Sequence, residues 1–185
     1  GDLPQQEMTE EEIEDLKLEA DDLLEQGNIE EAESFYEEAL ELYNQAMDIY
    51  KRIGHTKGII EAHLKIGTVY RNQGNYDDAQ TKGELAIELS KKFNLFLMHA
   101  DSLSLLGGVE RLRGKYQSAL QHHQRSLKIT QNIGDRYREE INFVEALYYC
   151  YYAEALGSPD AIKLRKKIER KTSDIQKNVA LSKLK

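Results

Sequence analysis

The 185-residue chain has one cysteine, two prolines and no tryptophan. The lone Cys150 cannot form an intrachain disulfide, which excludes a disulfide-stapled secreted domain. Two prolines and 12 glycines are too few for a collagen-like or Pro/Gly-rich disordered chain. No segment approaches the roughly 18 consecutive apolar residues of a transmembrane helix, and no charged-then-apolar leader opens the chain. These absences predict a helix-rich cytoplasmic protein without a membrane span.

Motifs for catalysis and metal binding are also missing. The five histidines form no HExxH string, and no Cys/His group has the spacing of a zinc site. The sequence contains no GxSxG, Walker loop or GxGxxG motif. Its carboxylates lie on amphipathic surfaces, where nothing indicates the raised pKa of a catalytic acid. We therefore expect a protein that is not an enzyme, with no catalytic residue, no metal and no cofactor.

Charge is distributed unevenly along the chain. Residues 1–50 carry 18 acidic side chains and one basic side chain, whereas residues 160–185 carry nine basic and three acidic ones. Such runs are commonly solvated helix faces. They also permit head-to-tail association, because complementary potentials speed encounter and set orientation. We expect no nucleic acid as a partner of the basic end, because the acidic half would repel phosphate.

The sequence repeats itself after 40 residues. That shift superimposes two sets of small and apolar residues: Ile66, Gly67, Gly74, Tyr76 and Ala79 on Leu106, Gly107, Gly114, Tyr116 and Ala119. Within one unit, an apolar stripe with helical spacing runs over 57–73, breaks at Gly74-Asn75 and resumes from Tyr76. The pattern predicts antiparallel helix pairs and an all-α fold, with Gly67 and Gly107 where two helices approach closely.

Two strings carry a family resemblance: HLKIGTVYRNQGNYDDAQTKGELAIELSKKF and SLSLLGGVERLRGKYQSALQHHQRSLKITQNIGDR. They resemble tetratricopeptide (TPR) repeats, and the forty-residue spacing is similar to that of the long-repeat subgroup with the kinesin light chains and the spindle-orientation adaptors. The resemblance covers about residues 9–156. It implies an α-solenoid of about four antiparallel helix hairpins in a right-handed superhelix. Glu110, Gly83 and His123 depart from the family pattern.

The repeat also predicts boundaries. We expect a flexible tail over 1–8, a repeat array over 9–159 and a basic capping helix over 160–185. The units of the array are about 9–56, 57–96, 97–136 and 137–159. In the first unit Gly27-Asn28 resembles the turn at Gly74-Asn75, at a shift of 47 residues instead of 40. This match predicts a turn at Gly27-Asn28 and one overlong second helix from Ile29 to Ile53.

The resemblance implies that the first helices of the pairs line a concave groove. The residues predicted to line it for partner binding are Leu64, Thr68, Arg71, Asn72, Ser104, Arg111, Tyr148 and Tyr152. Tyr and Arg are common at binding hot spots. The alternative to a binding role is that the tyrosines pack in the core and that the arginines are solvated or form ion pairs within their own helix. The carboxylate clamp of the chaperone cochaperones is absent, since Asp101 and Leu105 stand where its groups would be.

These features predict a non-catalytic protein–protein interaction scaffold or adaptor that binds a partner peptide or helix in the groove. The alternative is a structural self-assembly unit, a homo-oligomer that associates through its acidic N-terminal and basic C-terminal ends.

Overall fold

The computed structural model describes the backbone of residues 7–133 and 136–184 and, within them, the side chains outside 132–142. Over these residues the chain folds into nine α-helices, which confirms the predicted all-α class. They are α1 (Glu10–Ala32), α2 (Tyr36–Arg52), α3 (Thr56–Asn72), α4 (Tyr76–Lys92), α5 (Phe96–Leu112), α6 (Tyr116–Ile133), α7 (Arg136–Ala155), α8 (Pro159–Glu169) and α9 (Asp174–Ser182). Residues 1–6 of the predicted tail lie outside the described residues, and the division into tail, array and cap stays a prediction.

The helices are stacked as an α-solenoid. Each of the pairs α1–α2, α3–α4 and α5–α6 packs as an antiparallel hairpin, and each pair also packs on the next one through α2–α3, α4–α5 and α6–α7. The first helices lie side by side, since α3 contacts α5 and α1 contacts α3. Each apolar stripe is therefore covered by the neighbouring helix of the same pair and by the next pair along the chain.

A left-handed residue ends most of the helices. In the second unit the Gly74 N–H donates to the Arg71 carbonyl at 3.1 Å, and the Asn75 N–H donates to the Tyr70 carbonyl at 2.8 Å. This pair of bonds is a Schellman motif, which satisfies the last carbonyl groups of a helix and needs a residue with positive φ. The residues with positive φ are Ser34, Gly54, Gly74, Asn94, Gly114 and Gly157. The repeat of 40 residues follows because α2, α3, α4 and α5 each have 17 residues and are joined by three-residue connections.

The prediction for the first unit was wrong. The chain does not turn at Gly27-Asn28, and the overlong helix from Ile29 to Ile53 does not exist. Instead α1 continues to Ala32, and the turn falls at Ser34, which has a φ of 65°. Serine rarely adopts this conformation, so the sequence carried no turn signal there.

Gly27 has a packing role instead of a turn role. A Cβ atom at this position would lie 2.5 Å from Cε1 of Tyr43, so only glycine lets the α2 ring reach the α1 backbone. The Tyr43 hydroxyl donates to Glu31 Oε2 at 2.6 Å and also lies 2.9 Å from Asn28 Oδ1, and these contacts fix the crossing of the two helices. At the regular shift of 40 residues Gly27 corresponds to Gly67, so the first unit follows the same register as the others.

The predicted capping helix over 160–185 is also wrong in detail, because it is two short helices. Pro159 occupies the first turn of α8 behind the N-cap Ser158, where its missing N–H costs nothing. α8 ends at Glu169. Ser173 is the N-cap of α9, and its side chain and that of Gln176 form a capping box. Because this cap competes with continued helix, α9 can turn back and pack against α7.

Candidate functional site

A cavity of about 1110 Å³ runs along the first helices of the pairs, on α3, α5 and α7. Lys183 beyond α9 and the first residues of α2 and α4 complete its wall. We call this cavity the groove. The predicted residues that line it are Leu64, Thr68, Arg71, Asn72, Ser104, Arg111 and Tyr148. The forty-residue repeat brings these side chains together, because equivalent positions of α3 and α5 face the same side of the solenoid.

Tyr152 is not among the residues that line the groove. Its ring stacks on Tyr116 of α6, with ring centroids 5.4 Å apart and an interplanar angle of 6°. It also meets the ring of Tyr148 edge-on at 4.8 Å. Tyr152 lies one helical turn after Tyr148. Its side chain therefore packs toward α6, behind the residues that form the groove wall.

Three cationic side chains gather at one end of the groove. The Arg111 guanidinium lies 5.7 Å from the ring centroid of Tyr148, and the Lys183 Nζ lies 5.9 Å from the same centroid. Arg71 reaches the same place from α3, since its Nη1 would stand 3.0 Å from a Cβ at Gly108. Glycine at position 108 thus leaves room for the Arg71 side chain on the α5 backbone.

These groove arginines differ from Arg113, which lies outside the groove. Arg113 donates to Asp77, to Gln80 and to Glu110, the last at 3.1 Å. Among the residues that the structure describes, neither groove arginine forms an ion pair, and the buried Nε of Arg111 has no acceptor. A buried donor without an acceptor costs about 1–3 kcal/mol. A bound carboxylate or carbonyl oxygen would relieve that cost.

Acidic side chains line the other edge of the groove. Glu61 on α3 and Asp101 on α5 occupy equivalent repeat positions, each ten residues before Arg71 and Arg111 respectively. Ten helical residues span about 15 Å. The groove therefore has Glu61 and Asp101 towards one edge and the three cations towards the other, while Lys65 and Glu145 also line it. This uneven distribution of charge favours one orientation of a bound chain with complementary charges.

Tyr149 and Lys183 are among the wall residues that sequence reasoning missed. Tyr149 lines the groove and stacks on the buried His123, with centroids 4.3 Å apart and an interplanar angle of 14°. Lys183 reaches the groove only because α9 turns back onto α7. The four-tyrosine run offered a signal for Tyr149, whereas no sequence signal placed Lys183.

The imidazole of His123 lies behind the groove wall, stacked on Tyr149, as a neutral ring. It is fully buried, and burial lowers its pKa to about 3, with His122, Arg111, Lys183 and Arg71 adding repulsion. Its Nδ1 lies 3.5 Å from Glu145 Oε2. Burial outweighs the attraction of that carboxylate, so the imidazole is uncharged near neutral pH.

Other kinds of site find little support in the described part of the chain. No three His, Cys, Asp or Glu side chains gather there in a way that could hold a metal ion. No helix within those ranges is both long and apolar enough to cross a membrane. Cys150 is buried, and burial raises the pKa of its thiol to about 12, which makes it a poor nucleophile.

Comparison with known protein families gives two matches. One model described as a tetratricopeptide repeat matches residues 18–92, and a second with the same description matches residues 99–133. Comparison with curated protein sequences gives no match.

Several solved structures are similar. One is aspartyl phosphate phosphatase F from Bacillus subtilis, with a TM-score of 0.73 and 12% identity over 86% of this chain and 42% of that one. A Rap protein complexed with competence and sporulation factor gives a TM-score of 0.69 and 16% identity over 86% and 44%. BtubC from P. vanneervenii gives a TM-score of 0.70 and 15% identity over 87% of this chain and 66% of that one. At these identities the likeness concerns the fold, and this chain spans less than half the length of the first two.

Proposed function

This chain contains tetratricopeptide repeats over residues 18–92 and 99–133, and from that premise we propose that it is a non-catalytic protein–protein interaction scaffold. Its groove binds a peptide or helical segment of a partner protein. The observation that carries the proposal is the group of Arg71, Arg111 and Lys183 beside Tyr148. Cations without carboxylate partners on an aromatic surface are typical of a hot spot that a ligand completes.

Each edge of the groove has a separate role in this proposal. An acidic side chain of the partner binds between Arg111 and Lys183, above the ring of Tyr148, where desolvation strengthens its charge-assisted hydrogen bonds. A basic or polar side chain binds at the edge with Glu61 and Asp101. Apolar side chains of the partner contact Leu64 and its neighbours between the two edges.

A similar fold supports this proposal in part. The structure with a Rap protein is described as a complex with competence and sporulation factor, so one protein with a related solenoid binds a factor. The assignment to the kinesin-light-chain-like subgroup, the cytoplasmic location and the absence of enzymatic activity remain parts of the proposal. The first of these rests on the forty-residue repeat alone.

Selection from a random twelve-residue peptide library against the whole chain tests the proposal. We expect enriched peptides to share an acidic residue flanked by apolar ones. Hydrogen exchange with such a peptide should then slow in α3, α5 and α7, the helices of the groove. Protection confined to α2, α4 and α6 would contradict groove binding and assign the site to the outer surface.

A further inference from the structure

A second cleft of about 460 Å³ lies between α6 and α8, above α7. Its floor is apolar and consists of Leu127, Phe143, Leu164 and Ile168. Its rim is basic and consists of Arg125, Lys128, Lys167 and Lys171. None of these side chains lines the groove, so this cleft, which we call the basic cleft, is a separate surface.

The rim has no counter-charge of its own in the part of the chain that the structure describes. Its four cations are exposed, the described lining includes no carboxylate, and none of the four forms an ion pair with a described residue. Arg165, on the same helix α8, contrasts with them because it binds Glu154 and Glu169. An apolar floor within a cationic rim fits an amphipathic helix that carries carboxylates around an apolar side chain.

The outer face of α1 has this composition. Residues spaced by three and four form one exposed stripe that is acidic apart from two large apolar side chains: Glu11, Asp15, Leu18, Asp22, Glu25 and Ile29. Leu18 and Ile29 are 53% and 55% exposed, which is unusual for such residues on a helix that already packs against α2 and α3. Leu18 lies at the centre of four carboxylates, two on each side.

The two surfaces also match in length. Asp15 and Asp22 are seven residues apart, which is about 10.5 Å along a helix. The lining of the basic cleft extends over the same number of residues, from Gln124 to Gln131 on α6 and from Leu164 on α8 to Lys171 just beyond it. Because α1 and α8 lie far apart in the row of stacked helices that the structure describes, one copy cannot bring its own two surfaces together, whereas two copies can.

We propose that the basic cleft of one copy binds the outer face of α1 of a second copy, head to tail. Leu18 covers the apolar floor, while Asp15 and Asp22 pair with Lys128 and Lys167. The contact is heterologous, so each copy keeps one cleft and one α1 free for further copies, and open chains form instead of closed dimers. The proposal does not depend on the groove.

Sedimentation velocity of the whole chain tests association. At about 30 mM salt the mean mass should rise above that of the monomer as the protein concentration increases. At about 500 mM salt it should return to the monomer, since exposed charges are screened within less than 10 Å. A chain that stays monomeric at low salt up to the highest soluble concentration overturns the proposal.

A charge-swap experiment then identifies the surfaces. Lys128→Glu/Lys167→Glu and Asp15→Lys/Asp22→Lys should each be monomeric alone, because each places like charges against each other. An equimolar mixture of the two should associate again, since every cleft then meets an α1 of opposite charge.

The matched control Lys57→Glu/Lys91→Glu, whose side chains are exposed outside the basic cleft, should associate like the wild type. Circular dichroism confirms that all variants keep the native helix content. A mixture that stays monomeric, or a control that dissociates as far as the cleft variant, overturns the pairing of α1 with the basic cleft.

Discussion

At the residue scale, two adjacent glycines of α5 have opposite surroundings. A Cβ atom at Gly107 would overlap the imidazole ring of His123, which is fully buried and stacked on Tyr149. A Cβ atom at Gly108 would be close only to the flexible side chain of Arg71, whose Nη1 would lie 3.0 Å away. Gly107 therefore sets the distance between α5 and α6, while Gly108 shapes the groove.

We expect Gly107→Ala to lower the free energy of unfolding by about 1–3 kcal/mol, because the surrounding rings cannot move aside. Gly108→Ala should leave it unchanged or raise it by up to about 1 kcal/mol, since alanine is the better helix former. Urea denaturation of both variants measures the difference. Equal effects of the two substitutions would contradict the packing described for α5 and α6.

Two buried histidines make stability depend on pH. Burial lowers the pKa of His63 to about 4 and that of His123 to about 3, with Lys82 and Lys51 adding repulsion at His63. Both side chains are therefore neutral in the folded chain, whereas in the unfolded chain they titrate near about 6.5. Below that pH the unfolded chain binds more protons than the folded one, so acidification favours unfolding.

We expect each of these histidines to cost about 1.4 kcal/mol of stability between about pH 7.5 and about pH 5.5. Urea denaturation at the two pH values measures this loss of the free energy of unfolding. In the His63→Gln variant the loss should be smaller by about 1.4 kcal/mol, the contribution of one histidine. A pH dependence unchanged by His63→Gln would contradict the assignment.

At the scale of the helices, the forty-residue register made most of the elements predictable. The pairs α3–α4 and α5–α6 follow directly from apolar stripes that stop at Gly74 and Gly114, both of which have positive φ. The first pair, α1–α2, could not be predicted in this way. Its turn has a serine, Ser34, in the left-handed position instead of a glycine, while Gly27 allows close packing against Tyr43. Glycine has two uses in this fold, and a single sequence does not distinguish them.

Ser34→Gly should therefore stabilise the chain by up to about 1 kcal/mol, because a left-handed residue with a Cβ costs about 1–2 kcal/mol. Asn94→Gly, at the equivalent kind of turn after α4, should gain less, since asparagine tolerates this conformation. Thermal and urea denaturation of both variants give the comparison. Destabilisation by Ser34→Gly would contradict the turn assigned to 33–35.

The end of the chain shows why local pattern was insufficient there. Apolar residues continue in helical spacing from Leu164 to Val179, which predicted one helix. The capping box at Ser173 instead starts a new helix, and Ala180 is buried where α9 meets α7. Competition between helix continuation and a new cap is decided by tertiary packing, which periodicity alone does not contain.

At the scale of the whole molecule, the repeat placed most of the groove in advance. Arg71 and Arg111 occupy equivalent positions of two units, so their convergence follows from the register. Lys183 could not be placed, because its approach to Tyr148 depends on the break before α9. Tyr152 was placed wrongly, since which tyrosine of α7 faces the groove depends on how α6 packs behind it.

The most direct test of the proposed function is the affinity of a library-selected peptide for three forms of the chain. Fluorescence anisotropy should give a Kd for Arg71→Glu/Arg111→Glu at least about tenfold weaker than for the wild type, a loss of about 1.4 kcal/mol or more. The matched reversal Arg52→Glu/Arg170→Glu, at exposed positions outside the groove, should bind like the wild type. Wild-type affinity in an Arg71→Glu/Arg111→Glu chain with native helix content would contradict recognition through the groove.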